Sequence, residues 1–471
     1  MSHFSIFTCV SKFFLAIAAI DMKLLNVIIL SLCFMFLNSV YQATSNIQKT
    51  IFDRIAKEDP SFTGDGYISL SIGNAGLSLS YLLTPSFALV VKSRLAILIG
   101  SLSNAFYMCS FLWPEVILMY SASAIQGLGY GLAWIGATQY IVENSNSTTV
   151  SQKFGIFYGI NQLSNIVGNL IVYFSFTGTT YDKSTRELIF TILVIFSVIS
   201  VVFAILLRKP PQIEKISIEP IATVTKEMIP ENREILRKTV STLNLMMEGL
   251  KSLITLIITT DINLLLPIFV YSGLIFSFNS GIFTACVGFT KKISSSPEKL
   301  ISVMGICIGF GEILGSIFFK CMASRVKKIF GLNWIITMGV LTHIFSFILI
   351  LVNLPDDSPF KDTENVSFIS PSPILAMISA FTLGFGDACF NIQIFACLTS
   401  LYPNDNVAAN SYYNFWQSVA MSTSYFYSNY FGLHLQLGIL QFTVIFGTIL
   451  YSIIIYKNKT VKNIEMSSVN S

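Results

Sequence analysis

The sequence predicts an all-α membrane protein with twelve transmembrane helices in two six-helix bundles. Three observations predict it. Hydrophobic residues fill 53% of the 471 positions and charged residues only 11%, with a mean hydropathy of +0.68; soluble domains carry about 25% charged residues. The apolar positions collect into runs of about 20 residues, the length at which a helix crosses a bilayer. Two sets of six such runs flank a charged central stretch. The same composition sets aside other classes. A formal net charge of +4 is too small to point to nucleic acid, and three scattered histidines cannot form a zinc cluster. Eight cysteines lie mostly in apolar runs without paired spacing, as small hydrophobes do. The chain carries no phosphate-binding Gly-rich loop, no His-Glu-x-x-His and no Gly-x-Ser-x-Gly. No enzyme activity, cofactor or metal is expected.

Residues 1–23 contain a short apolar piece at 4–20 that includes Lys12 and lacks a small-residue cleavage site. They are expected to form an uncleaved N-terminal or interfacial segment, with a signal peptide as the alternative. The predicted spans are 24–46, 66–90, 95–112, 116–140, 154–176, 187–207, 262–286, 299–319, 330–352, 373–399, 410–432 and 434–456. They group into an N-terminal bundle over 24–207 and a C-terminal bundle over 262–456, separated by a cytoplasmic loop at 208–261 and followed by a tail at 457–471. Within the central loop Leu236, Val240, Leu243, Met247, Leu250 and Ile254 fall on one face of a helix. That helix is expected against the bundle or the inner leaflet, or against a partner. With both termini cytoplasmic, 20 of the 29 basic residues fall inside and 9 outside, the asymmetry that basic loops impose. The acidic loop 353–372 then faces out, and its Asn365-Val-Ser is the one acceptor triplet expected to carry a glycan.

The halves resemble each other. Gly129-Tyr130-Gly131-Leu132-Ala133 matches Gly384-Phe385-Gly386-Asp387-Ala388, and the same offset pairs Tyr158 with Tyr413 and Gln162 with Gln417. Ile72-Gly73 pairs with Ile308-Gly309 at a shorter offset, a difference that the loop 353–372 absorbs. Repeated six-helix halves are the mark of the major facilitator architecture, whose central site lies at the repeat interface. In this register Asp387 aligns with Leu132, so its carboxylate belongs to one half alone.

The first, fourth, seventh and tenth spans line the cavity of that architecture. Asn38, Gln42 and Ser45 follow helical spacing in the first, Gln126 and Tyr130 in the fourth; Asn279 lies in the seventh, and Asp387 and Asn391 stand one turn apart in the tenth. Amides donate and accept, so they either line the cavity or bond helix to helix. A carboxylate at bilayer depth is costly and by default functional. Asp387 is expected to hold a proton, a cation or a neighbouring amide. Glu312, in GFGEILG of the eighth span, either couples similarly or latches the halves through Arg325 or Lys92.

In order along the chain, FMFLNSVYQATSNIQKT, LLTPS, GNLIVYF, GIFTACVGFTKK, GICIGFGEILGS, LGFGDACFNIQ and FYSNYFGLH resemble the Unc-ninety-three-like branch of the major facilitator superfamily, from about residue 24 to 456. The resemblance implies twelve helices in two bundles and places Asp387 and Glu312 in family motifs. It also implies a regulatory or accessory role beside a potassium channel or a receptor, with a cation- or proton-coupled small-solute transporter as the alternative. Two departures stand out. The loop after the second span reads VVKSRL in place of a Gly-Asp-Arg-Gly pattern. In SAIQGLGYG, Ser123 sits where the antiporter pattern has arginine.

Overall fold

The computed structural model describes residues 22–469 except 88–90, 147, 177, 179, 210–243, 245–246, 248, 331–333 and 403–404. Most of the N-terminal segment, and the Leu236, Val240 and Leu243 of the central loop, therefore lie outside the described residues. The described chain is almost wholly helical: α1 Met22–Glu58, α2 Gly66–Leu82, α3 Ser93–Ser110, α4 Val116–Glu143, α5 Val150–Asn161, α6 Leu163–Ser175 and α7 Lys183–Leu206, then α8 Leu266–Ser277, α9 Phe283–Phe289, α10 Pro297–Phe330, α11 Trp334–Asn353, α12 Pro373–Leu401, α13 Asn406–Tyr427 and α14 Leu433–Val469.

Among the described residues, eight helical stretches are long and apolar enough to cross a membrane: Met22–Glu58, Val116–Glu143, Lys183–Leu206, Leu266–Phe289, Pro297–Phe319, Trp334–Asn353, Pro373–Leu401 and Leu433–Asn458. The other four expected spans fall short for local reasons. The second, α2, is 17 residues. The third, α3, has 18 residues but is diluted by serine, asparagine and arginine. The fifth is divided at Gln162 into α5 and α6, of 12 and 13 residues. The eleventh, α13, is rich in serine, asparagine and tyrosine along its 22 residues.

Helix α1 runs well past the predicted span, because its terminal charges are satisfied rather than solvated. Lys49 pairs with Asp65 and lies 4.8 Å over the Tyr67 ring, while Lys57 pairs with Asp53 one turn back at 2.7 Å. Asp65 also caps α2, accepting the Ile68 N–H at 3.0 Å.

Packing repeats between the two parts of the chain. In the first, α4 packs on α2 and α3, and α1 on α6 and α7; in the second, α12 packs on α10 and α11, and α8 on α13 and α14. Across the parts α2 meets α13 and α6 meets α10. Close glycine contacts set the register. A Cβ on Gly127 would lie 1.9 Å from the Gly73 carbonyl oxygen, and one on Gly384 would lie 2.1 Å from that of Ile308. Gly76 faces the Ala124 carbonyl as Gly311 faces that of Phe381. Gly129 meets Ser103 of α3, and Gly386 meets His343 of α11. Gly127 and Gly129 therefore correspond to Gly384 and Gly386, which slides the expected alignment by two residues. GLGYG contains two overlapping Gly-x-Gly pairs, and sequence alone cannot choose between them. Asp387 aligns with Tyr130 rather than Leu132, and Gly73 with Ile308 rather than Gly309.

The central-loop helix also differs from expectation. Residues 249–257 are helical, but Leu253 and Leu256 are the buried pair, while Met247 and Ile254 are exposed and Leu250 is half-buried. Leu253 joins Leu82 of α2 and Tyr412 and Trp416 of α13 around a cavity of about 130 Å³, so the segment rests on the seam between the two parts.

At the end of the fold that bears the 354–372 connection, ion pairs bridge the two parts. Arg54 meets the fully buried carboxylate of Glu298 and also Asp362, at 3.2 Å; Lys57 and Lys291 each reach Asp362 at 3.0 Å. The Tyr181 backbone N–H donates to Glu298 at 2.5 Å. Partial burial works against ionisation of Asp362. Hydrogen bonds from Lys291 and Lys57 and the charge of Arg54 outweigh it, holding the carboxyl below its usual range. A depressed folded-state value stabilises the fold above the unfolded value, and that stability disappears as pH falls through the folded one. The part of the unfolding midpoint that Asp362 supplies is expected to be complete above about pH 4 and to be lost below it. Asp362→Asn should lessen that acid drop; equal acid sensitivity in the variant would contradict the assignment.

Candidate functional site

Helices α1, α6, α8, α10 and α12 converge on a small polar chamber. It is lined by Gln42, Asn46, Asn165, Phe276, Asn279, Ser280, Ile308, Glu312 and Asp387, with a volume of about 10 Å³. That is room for about one water-sized sphere. The seventh span opens here. Between α8 and α9 the chain takes one wide turn, Phe278–Ile282, with non-helical angles at Ser280 (φ −101°, ψ 34°). Gly281 allows the Tyr425 ring close, 2.8 Å from where a Cβ would stand. The break presents Asn279 and Ser280 to the chamber and ends α8 there.

Four of the seven expected cavity residues meet in this chamber: Gln42, Asn279, Glu312 and Asp387. Asn391 supports it from behind, donating through Nδ2 to Asp387 Oδ2 at 2.9 Å. Tyr413 OH donates to Asn391 Oδ1 at 3.3 Å, and Gln417 Nε2 to Tyr413 OH at 3.0 Å. A relay of Gln417, Tyr413, Asn391 and Asp387 thus joins α13 to α12. In the first part, Tyr158 stacks on Trp134 with centroids 6.3 Å apart, and Trp134 corresponds to Asn391 in the corrected register. Gln162 stands at the α5–α6 break.

Two expected residues lie elsewhere. Asn38 donates to Asn161 Oδ1 at 2.5 Å and accepts from Tyr130 OH at 2.6 Å, so its amide ties α1 to α5 and α4. Gln126 is buried beside Gly73, and its Nε2 has no hydrogen-bond partner among the described residues. Glu312 shares the chamber and an electrostatic interaction with Asp387, and its carboxylate has no ion pair among the described residues. Lys92 does not reach it, and the Arg325 side chain lies outside the described residues.

Sequence reasoning missed Asn46, Asn165 and Ser280. Asn46 stands one turn beyond Gln42, next to the Ser45 that the helical spacing points to; the Ser45 hydroxyl turns back to the Tyr41 carbonyl at 2.9 Å. Asn46 donates to Asn169 Oδ1 at 3.0 Å, and Asn169 in turn bonds Asn165, so two amides spaced i, i+4 on α6 back the chamber. His343 of α11 was also missed. It is fully buried, held at Nδ1 by Tyr271 OH and at Nε2 by the Leu383 carbonyl at 3.0 Å, one turn from Asp387. With Nε2 donating to that carbonyl and Nδ1 accepting from the tyrosine, the ring is a neutral scaffold. Ser123 is likewise occupied: its hydroxyl shares a 2.7 Å hydrogen bond with Ser69, which accepts from Gln48.

Residues 61–452 match the family model described as "Ion channel regulatory protein UNC-93". The chain belongs to the UNC-93 family. It is 31% identical over 434 residues to the UNC93-like protein MFSD11 of Xenopus tropicalis, covering 91% of this chain and 95% of that protein. To the human Protein unc-93 homolog A it is 23% identical over 479 residues, covering 90% of this chain and 92% of the other. Among solved structures, the peptide transporter POT in complex with sulfate superposes with a TM-score of 0.63 at 16% identity, over 93% of this chain and 94% of that one. The nucleoside transporter NupG superposes with a TM-score of 0.61 at 12% identity, over 92% and 99%. These two likenesses establish a transporter-type fold. The chain is a multi-pass integral membrane protein of the UNC-93 family, and the proteins it is similar to are regulatory or transporter-type rather than enzymes.

Proposed function

We propose that the chain is a regulatory or accessory partner of an ion channel, a potassium channel first, or of a receptor. It would be built as twelve crossings in two six-helix bundles, 24–207 and 262–456. The observation that carries this is the match, across 61–452, to a family described by ion channel regulation. The site agrees with it. Where an antiporter pattern places arginine, Ser123 is bonded into a serine pair, so the fourth helix sends no cation toward the chamber. The twelve-crossing count takes in the four shorter helices, and the repeated packing supports the division into two bundles. The basic-residue asymmetry supports cytoplasmic termini in a plasma membrane or endomembrane, with the Arg54–Glu298–Asp362 ion pairs on the outer face. Asn365 is exposed on that face. Endoglycosidase should shift the mobility of the wild type but not of Asn365→Gln; no shift in the wild type would count against the orientation. The functional test is reciprocal co-purification from native membranes. A channel or receptor retained in fixed proportion supports the proposal; a chain that purifies alone while transporting a solute sinks it.

The chamber favours a second reading, a cation- or proton-coupled carrier of a small solute. Asp387 and Glu312 line it with no basic side chain beside them. On that reading Asp387→Asn abolishes sodium- or pH-dependent uptake in proteoliposomes and leaves surface expression intact. Absence of such uptake in the wild type would dispose of it.

A further inference from the structure

We infer that the chamber is a binding site for one alkali-metal cation, held between Asp387, Glu312 and Asn279. This stands whether the chain regulates a channel or carries a solute. Two carboxylates face a space of about 10 Å³ whose lining includes no lysine, arginine or histidine. Two unneutralised charges at this depth are strongly unfavourable, so the pair needs protons or a cation to neutralise it. An independent feature points to a ligand rather than to the carboxylates alone. Asn279 is 5% exposed, and its Oδ1 has no hydrogen-bond partner among the described residues although it lines the chamber. A buried amide oxygen left without a donor is an acceptor awaiting one, and oxygen is the ligand type that hard cations take.

The local backbone adds to the field. Helix α8 ends at the break, so its partially negative C-terminal end is directed to this region. Interrupted membrane helices hold coupling cations with such ends and with the unwound backbone beside them. The space suits a single small ion and is too small for an organic ammonium. Described residues contain no group of three His, Cys, Asp or Glu that would hold a divalent or transition metal, whereas two carboxylates and amide oxygens suit a monovalent ion. The Asn391–Asp387 hydrogen bond fixes one carboxylate oxygen and leaves the other for the ion.

The experiment uses the full chain in lipid nanodiscs. Its unfolding midpoint is followed with lithium, sodium or potassium chloride, each against N-methyl-D-glucamine chloride at equal ionic strength. At least one alkali cation is expected to raise the midpoint saturably above the N-methyl-D-glucamine curve. Asp387→Asn should lose that rise, and Asn279→Ala should weaken the apparent affinity by about ten- to a hundredfold. Gly155→Ala, on a helix surface, should keep the wild-type response. If Asp387→Asn does not fold, Glu312→Gln and Asn279→Ala carry the comparison. Superimposed wild-type curves in all the salts would overturn the inference and leave protons as the neutralising charge. So would an unchanged cation response in the folded chamber variants.

Discussion

Replacing Arg54 by alanine is expected to lower stability by about 3 kcal/mol or more, a large share of what any fold of this kind has to lose. Glu298 is completely buried, and Arg54 is its nearest cation; Lys291 stands at 3.9 Å and the Tyr181 N–H at 2.5 Å. Removing the guanidinium leaves a buried carboxylate with one distant charge and one backbone donor. Breaking one side of a buried pair costs far more than replacing both sides. Arg54→Gln combined with Glu298→Gln should therefore recover most of the loss. Unfolding midpoints of the two variants decide the matter. Equal destabilisation by the single and double changes would show that the site matters for packing, not charge. The consequence reaches beyond stability, because Arg54 belongs to the first part of the chain and Glu298 and Asp362 to the second. Their pairing links the two parts at that end.

The second large effect is steric. Gly127→Val and Gly384→Val are each expected to cost about 3 kcal/mol or more, enough to prevent recovery of folded protein. At both positions a Cβ would stand within 2.1 Å of a carbonyl oxygen on the neighbouring helix, and neither backbone can retreat without separating α4 from α2 or α12 from α10. Small residues at such crossings let membrane helices approach closely. Gly155 and Gly159 of α5 provide the control, since nothing lies within 4 Å of a Cβ at either. Alanine there should be neutral or stabilising by about 0.5–1 kcal/mol, as for glycine in any helix interior. Size-exclusion profiles of the four variants test this. Monodisperse Gly127→Val and Gly384→Val would refute the close crossings and the register built on them.

That register marks the limit of what the sequence alone could tell. Membrane spans are legible because each backbone group in lipid must bond within its own helix, so charge is excluded over a readable length. Asp387 and Glu312 were legible for the same reason, as single carboxylates within apolar runs. The repeat was legible in kind but not in phase, since GLGYG fits GFG in two ways and only the Gly127–Gly73 and Gly384–Ile308 contacts choose. Which amide faces the chamber was harder still. Asn38, Gln42, Ser45 and Asn46 share one helix, and their roles depend on partners such as Asn161 and Asn169, more than 100 positions away. The Arg54–Glu298 pair, separated by 244 positions, follows no local pattern. The break at Phe278–Ile282 carries only Ser280-Gly281 as a signal, and the same pair, Ser272-Gly273, lies within the unbroken α8.

We propose that the chain acts on a channel or receptor instead of moving a solute itself. The most direct measurement records whole-cell potassium current and receptor surface density in native cells from which the chain has been removed and then restored. The account predicts that one of the two changes on removal and returns on restoration. Unchanged current and unchanged receptor density, together with solute uptake by the purified chain in proteoliposomes, would contradict it.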